Sequence, residues 1–222
     1  MPLAIEILPD AESVARRGAE IAAAAAADAV ADRGRFEFAV SGGRTPWAMF
    51  ADLAGKMPWE KVTIYQVDER VAPDGDPDRN LTQLQRALPA GGSADVRAMP
   101  VTFHDLDAAA ADYAASLPDA FDLVHLGLGP DGHTASLIPG DPVLEVTDRD
   151  VALTGEYQGR RRMTLTYPVL DRARRILWLV TGDDKVEALA RLRAGDESIP
   201  GGRVSTAHAL VVADAAAAGS AP

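Results

Sequence analysis

The chain contains no cysteine. That excludes a disulfide framework and any cysteine-ligated metal site, and it fits a reducing compartment. Lysine is almost as scarce: the 22 basic residues comprise 19 arginines and only Lys56, Lys61 and Lys185. Basic charge is also outnumbered, since 33 acidic residues leave a formal net charge of −11 over 222 residues. This argues against a nucleic-acid partner, which needs a basic face to displace phosphate counterions, and against docking on an anionic membrane. No apolar run approaches the roughly 18 residues of a membrane helix. Arg16-Arg17 ahead of an alanine run could suggest an export signal, but Glu20 and Asp28 interrupt the apolar stretch, and an amphipathic helix surface fits better. A soluble, cytoplasmic, monomeric protein is expected. What the chain does have is alanine, 42 residues of it, in an ordinary globular mixture of 47% hydrophobic and 25% charged residues.

Strand and helix patterns alternate. Short β-type runs at residues 4–8, 36–40, 62–67, 96–101, 121–128, 151–154, 163–166, 176–180 and 209–212 are separated by helical patterns. Asp10 or Ser13 caps an alanine-rich helix reaching about Asp32. Thr45-Pro46 opens another as N-cap and first helical residue. Further helices are expected near 81–88, 107–117 and 185–193, and a frayed tail over 213–222. This alternation predicts one α/β domain, an open, mostly parallel Rossmann-like sheet with helices on both faces. Ligands of such sheets bind at the carboxyl ends of the strands.

Three strand ends carry unusual residues. In the first, Ser41-Gly42-Gly43-Arg44, the glycines permit a sharp turn, and their amides, a helix N-terminus and Arg44 together can cradle a phosphate. A plain strand-to-helix turn explains this motif about as well. In the second, Asp68-Glu69-Arg70, a carboxylate can bind sugar hydroxyls or act as a base, and Arg70 can hold an anion bidentately. A solvated ion pair is the plainer reading. The third, residues 127–137 (GLGPDGHTASL), contains a literal G-x-G-x-x-G. Pro139 and Pro142 end any helix within two turns, so it is not a dinucleotide fingerprint. It leaves Asp131 and His133 at a strand end, and histidine's titration near neutrality suits a general base. His104, His125 and His208 read as satisfied structural histidines. No metal-ligand spacing occurs, and the sequon at Asn80 carries no meaning without a signal peptide. Two later features add cations: Arg160-Arg161-Arg162 before MTLT, and Lys185 in TGDDK, where a lysine in a first helical turn opposes the helix dipole and hints at an anionic ligand.

Taken in order, SGGRTP, VDERV with Asn80 downstream, GLGPDGHTASLIPG, RMTLTYPVL and TGDDK resemble the 6-phosphogluconolactonases over about residues 40–205. GLGPDGHTASL is the most specific of these elements. The resemblance implies an open α/β fold shared with glucosamine-6-phosphate deaminase and ribose-5-phosphate isomerase. It implies hydrolysis of 6-phospho-D-glucono-1,5-lactone, the second step of the oxidative pentose phosphate pathway, with no cofactor. It makes His133 the general base; Asp131, two residues before it on the turn, is expected to orient it. Ser41, Gly42, Gly43, Arg44 and Lys185 become phosphate or substrate contacts, and Asp68, Arg70 and Arg162 lie near the substrate. Two rival readings are a deaminase, in which the Asp68 position transfers protons, and a non-catalytic sugar-phosphate sensor. DER where a deaminase has DEY, and HTASL where it has HIAFNEP, favour the lactonase.

Overall fold

The computed structural model describes residues 3–89 and 93–219. Seven strands form a parallel sheet in the order β1 (Ala4–Leu8), β10 (Ala209–Asp214), β9 (Ile176–Val180), β6 (Leu123–Leu126), β2 (Phe36–Val40), β3 (Val62–Gln66) and β5 (Asp95–Arg97). β2, β6 and β9 are buried along their whole length, as expected of strands covered on both faces. On one face lie α1 (Ala11–Arg33), α2 (Arg44–Asp52) and α3 (Asn80–Ala87). The other carries α4 (Leu106–Ala115), α5 (Tyr167–Asp171) and α6 (Val186–Arg193).

The alanine helix packs as its composition allows. Asp10 caps α1 through its carboxylate, which accepts the Ser13 amide at 2.8 Å. Its inward face is Val14, Ala15, Gly18, Ala19, Ala22, Ala25, Ala26 and Ala29, a helical spacing of small residues that brings the backbone close to β9 and β10. A Cβ on Gly18 would stand 2.9 Å from Leu179 Cδ1.

Four expectations need correction. Asp68–Arg70 is not the end of the 62–67 strand but a strand of its own, β4, in a second, antiparallel sheet ordered β4-β8-β7, with β8 at Arg162–Leu165 and β7 at Val151–Leu153. β5 ends at Arg97, well before Val101; the Met99 amide turns away to donate to Gln66 Oε1. α2 starts at Arg44 with Gly43 as its N-cap, and the Thr45 hydroxyl pairs with the Thr181 hydroxyl at 2.9 Å instead of capping. The tail is ordered through Gly219: β10 extends to Asp214, whose carboxylate accepts the Ala217 amide, and Ala217 is buried. Residues 220–222 lie outside the described part.

The chain leaves β2 toward β3 and β5 on one side. It re-enters at β6 and proceeds toward β9 on the other. The carboxyl ends of β2 and β6 therefore flank a topological switch point, where a crevice opens. Ser41 follows β2, Gly127 follows β6, and Gly182 to Lys185 follow β9.

Candidate active site

A cavity of about 210 Å³ occupies this crevice. Ser41, Gly42, Gly43, Asp68, Arg70, His133, Arg162 and Lys185 line it together, although they come from five separate segments of the chain. Arg44 does not reach it. This arginine is exposed at the mouth and lines three neighbouring hollows. Asp131 stands behind His133 rather than in the cavity wall.

The 127–133 turn fixes the imidazole. The Gly129 amide donates to the His133 carbonyl at 2.8 Å and the Gly132 amide to the Gly129 carbonyl at 2.9 Å. Asp131 Oδ1 lies 2.5 Å from His133 Nδ1 and also accepts the His133 amide at 3.1 Å. Burial pushes the Asp131 carboxyl up, but the His133 amide and ring outweigh it, and the net displacement is downward. An ionised carboxylate accepts only, so the ring proton sits on Nδ1 and the Nε2 lone pair is free. That tautomer can take a proton from water. A Cβ on Gly129 would overlap the His133 ring and stand 2.7 Å from Asp131 Oδ1. Gly129→Ala should therefore expel the ring from its seat. The expected result is a kcat lowered at least about tenfold with little change in Tm; an unchanged kcat would show that the ring's position does not matter.

Cations gather on the opposite wall. Arg70 and Arg162 are directly opposed across the β4–β8 pair, an arrangement that like charges normally make unfavourable. Arg162 is buried, with only Gln158 as a guanidinium hydrogen-bond partner at 3.3 Å, and its Nε has none among the described residues. Burial pulls its pKa below the ordinary value, with Asp68 opposing and Arg70 adding to the shift. Lys185 leans on Asp184 at 2.8 Å in a short turn ahead of α6. The Asp214 carboxylate holds that turn by accepting the Gly182 amide at 3.1 Å. Two arginines that form no salt bridge among the described residues, a lysine and the start of α2 make an arrangement suited to a dianion.

The remaining predicted residues divide. Both Asp68 oxygens are occupied, Oδ1 by Asn80 Nδ2 at 3.1 Å and Oδ2 by the Ser136 hydroxyl at 2.6 Å. Glu69 is wholly buried and faces away from the cleft. Of the arginine triplet, Arg160 is spent on Asp76 and Asp78. Ser41 cannot offer its amide to a ligand, because that N–H already donates to His125 Nδ1 at 3.3 Å. Its hydroxyl and the following amides are what the loop can present. His125 is thus not a fully satisfied structural histidine: its Nε2 is buried without a partner. His104 and His208 are exposed and remote from the cavity lining.

Sequence reasoning passed over two neighbours of the site. Asn80 was seen only as a sequon and a downstream landmark. Its side chain fills the space where a Cβ on Gly42 would lie, which is why glycine stands there. Tyr157 bridges the two walls: its hydroxyl donates to Asp131 Oδ2 at 3.3 Å, and the Arg162 guanidinium lies over its ring at 5.1 Å. Nothing in the segment EYQGRRR signals that role.

A family model described as "Glucosamine-6-phosphate isomerases/6-phosphogluconolactonase" matches residues 9–213. The chain belongs to this family. Curated relatives point to one of its two activities. A 6-phosphogluconolactonase of Synechocystis is 37% identical over 75% of both chains, and one of Streptomyces coelicolor is 35% identical over 94% of both. Among solved structures, a Shewanella baltica 6-phosphogluconolactonase superposes with a TM-score of 0.87, covering 96% of this chain and 97% of its own, at 24% identity. A monomeric glucosamine-6-phosphate deaminase also superposes, with a TM-score of 0.82 at 20% identity and 98% and 99% coverage. The fold therefore accommodates both members of the family, and the choice between them rests on the sequence relatives and on the site. No helix among the described residues is long and apolar enough to cross a membrane.

Proposed function

We propose that this chain is a cytoplasmic, monomeric 6-phosphogluconolactonase in which His133 activates the attacking water. The relatives named above support the activity. The observation that carries the mechanism is the pairing of His133 Nδ1 with an ionised Asp131 at one wall of a cavity whose other wall is cationic. His133 Nε2 takes a proton from water as the water oxygen bonds to lactone C1. The imidazolium, balanced by Asp131, faces the developing oxyanion. The C1–ring oxygen bond then breaks, and the imidazolium returns its proton to the departing oxygen. The carboxylic acid formed at C1 then loses its proton to solvent, which leaves 6-phosphogluconate and one released proton. A strained ring ester requires no more machinery than this.

The phosphate is held far from C1 by the Ser41–Gly43 loop, Arg162 and Lys185, with Arg70 beside them and Arg44 at the mouth. Remote binding energy of this kind positions the reacting carbon. Lys185→Ala should lower kcat/KM for the phosphorylated lactone by about 10- to 100-fold, and change that for unphosphorylated glucono-1,5-lactone far less. Equal losses on both lactones would remove Lys185 from the phosphate site.

A deaminase would use the Asp68 position to move protons. Here both oxygens of that carboxylate are engaged by Asn80 and Ser136, which favours the lactonase. The direct test offers fresh 6-phosphogluconolactone and glucosamine 6-phosphate in separate reactions. Acid release above the spontaneous rate from the first, and no ammonia from the second, is the expected result. Ammonia release would establish the deaminase, and neither product would leave a sugar-phosphate sensor.

A further inference from the structure

His125 lies in the middle of the sheet, on β6, next to the end of β2. It is fully buried. A histidine in this place is costly, because its strand neighbours Leu123, Val124 and Leu126 are all apolar and its Nε2 has no partner. Burial drives its pKa down to about 3, so the ring is neutral at any pH at which the protein works. The ring's one hydrogen bond among the described residues is the 3.3 Å contact in which Nδ1 accepts the Ser41 amide. Nδ1 is therefore the unprotonated nitrogen, and the proton is on Nε2. His125 also lines a second hollow of about 220 Å³, shared with Gly42, Gly43, Thr181 and Lys185, directly behind the catalytic cavity.

We propose that His125 is a positioning residue for the phosphate-binding loop, its Nδ1 holding the Ser41 amide so that the Ser41 hydroxyl and the Gly42 and Gly43 amides face the ligand's phosphate. The argument rests on geometry. The Ser41 amide is the last before the loop turns, and no strand carbonyl takes it. Without an acceptor in the sheet at this point it would be buried and unpaired, or the loop would rotate to find one. Rotation about Ser41 would redirect both glycine amides that follow. A leucine or valine in β6 would pack at least as well as histidine but could not supply the acceptor. The imidazole is thus kept at the expense of an orphaned Nε2, and the return is a fixed loop.

This inference rests on the assignment of the loop to the phosphate, and its test separates the two. His125→Leu removes the acceptor while keeping an apolar, similarly sized side chain. His125→Asn places Oδ1 near the Nδ1 position and discards Nε2. Binding of 6-phosphogluconate to each purified protein is measured by calorimetry, alongside Tm and steady-state lactone hydrolysis. The expected result is that His125→Leu weakens 6-phosphogluconate binding and raises KM about tenfold, with kcat within about threefold and Tm nearly unchanged. His125→Asn should recover most of the binding. Wild-type affinity in His125→Leu overturns the proposal. So does an Asn variant as weak as the Leu variant, because the acceptor would then not be what matters. A joint collapse of kcat and Tm overturns it too, by making His125 a core residue only. A wild-type protein that binds 6-phosphogluconate, with affinity lost in His125→Leu and recovered in His125→Asn, but hydrolyses no lactone would fail the proposed activity and leave this inference standing.

Discussion

A His133→Ala protein should fold normally and lose at least about 10²-fold in kcat. The side chain is the one group in the cavity with a free basic lone pair held in place by a carboxylate. Asp131 cannot substitute for it, because it stands behind the ring and its charge is already committed to the His133 amide and to Tyr157. The fold should survive because the turn is maintained by backbone bonds, Gly129 to His133 and Gly132 to Gly129, which alanine leaves intact. The ring itself packs edge-on against Tyr157, at 5.7 Å between centroids. The measurement is a continuous acid-release assay on freshly made lactone, corrected for spontaneous opening. Added imidazole should restore part of the lost rate, since the substitution leaves a ring-sized vacancy next to Asp131. A kcat within about threefold of wild type in a folded variant would remove His133 from the reaction.

The largest effect on stability should come from Glu69→Ala, at about 3–5 kcal/mol. This carboxylate is wholly buried and engages five donors. Oε1 accepts the amides of Arg70 at 2.9 Å and Asn80 at 2.8 Å. Oε2 accepts Gln66 Nε2 at 2.9 Å, the Leu81 amide at 2.8 Å and Arg79 Nε at 3.4 Å. It thereby caps α3, joins β3 to β4 and balances Arg79, which is itself only 2% exposed. Alanine would strand four N–H groups, two of them buried and two partly buried, and leave a guanidinium whose remaining ionic partner, Asp74, is a surface residue. For a protein of this size the loss corresponds to a fall in Tm of roughly 6–20 °C. Thermal denaturation decides the matter: a shift below about 2 °C would mean that the network contributes little.

Glu69 also marks where sequence reading stopped. The acidic pair at positions 68 and 69 stands out after an apolar strand, and either carboxylate looks suitable for a ligand. Only the folded chain separates them, because β4 is three residues long and its partner β8 lies more than 90 residues away. A strand so short carries no periodicity, and non-local pairing leaves no local trace. The strand ends bearing Ser41, Gly127 and Lys185 were legible for the opposite reason. Each follows an apolar run, and the rule that parallel sheets bind ligands at strand ends then groups them without knowledge of the strand order. The contact between Asp131 and His133 needed the turn geometry, and the role of His125 needed the adjacency of β2 and β6, which no spacing reveals. The alanines at 215–218 offered no pattern to distinguish an ordered turn from a frayed end. The capping carboxylate of Asp214 decides it.

The place of β10 in the sheet bears on how the molecule comes to be made. β10 is the last strand in the sequence, yet it lies between β1 and β9, and it is the sole sheet neighbour of β1. Ala4 pairs with Leu210, so β1 has no sheet partner until β10 has been synthesised. Asp214, at the end of β10, is also the residue that secures the turn carrying Lys185. Closing the sheet and finishing the cationic wall of the cleft are thus one event. The slow step of folding should be this long-range insertion rather than formation of the helices.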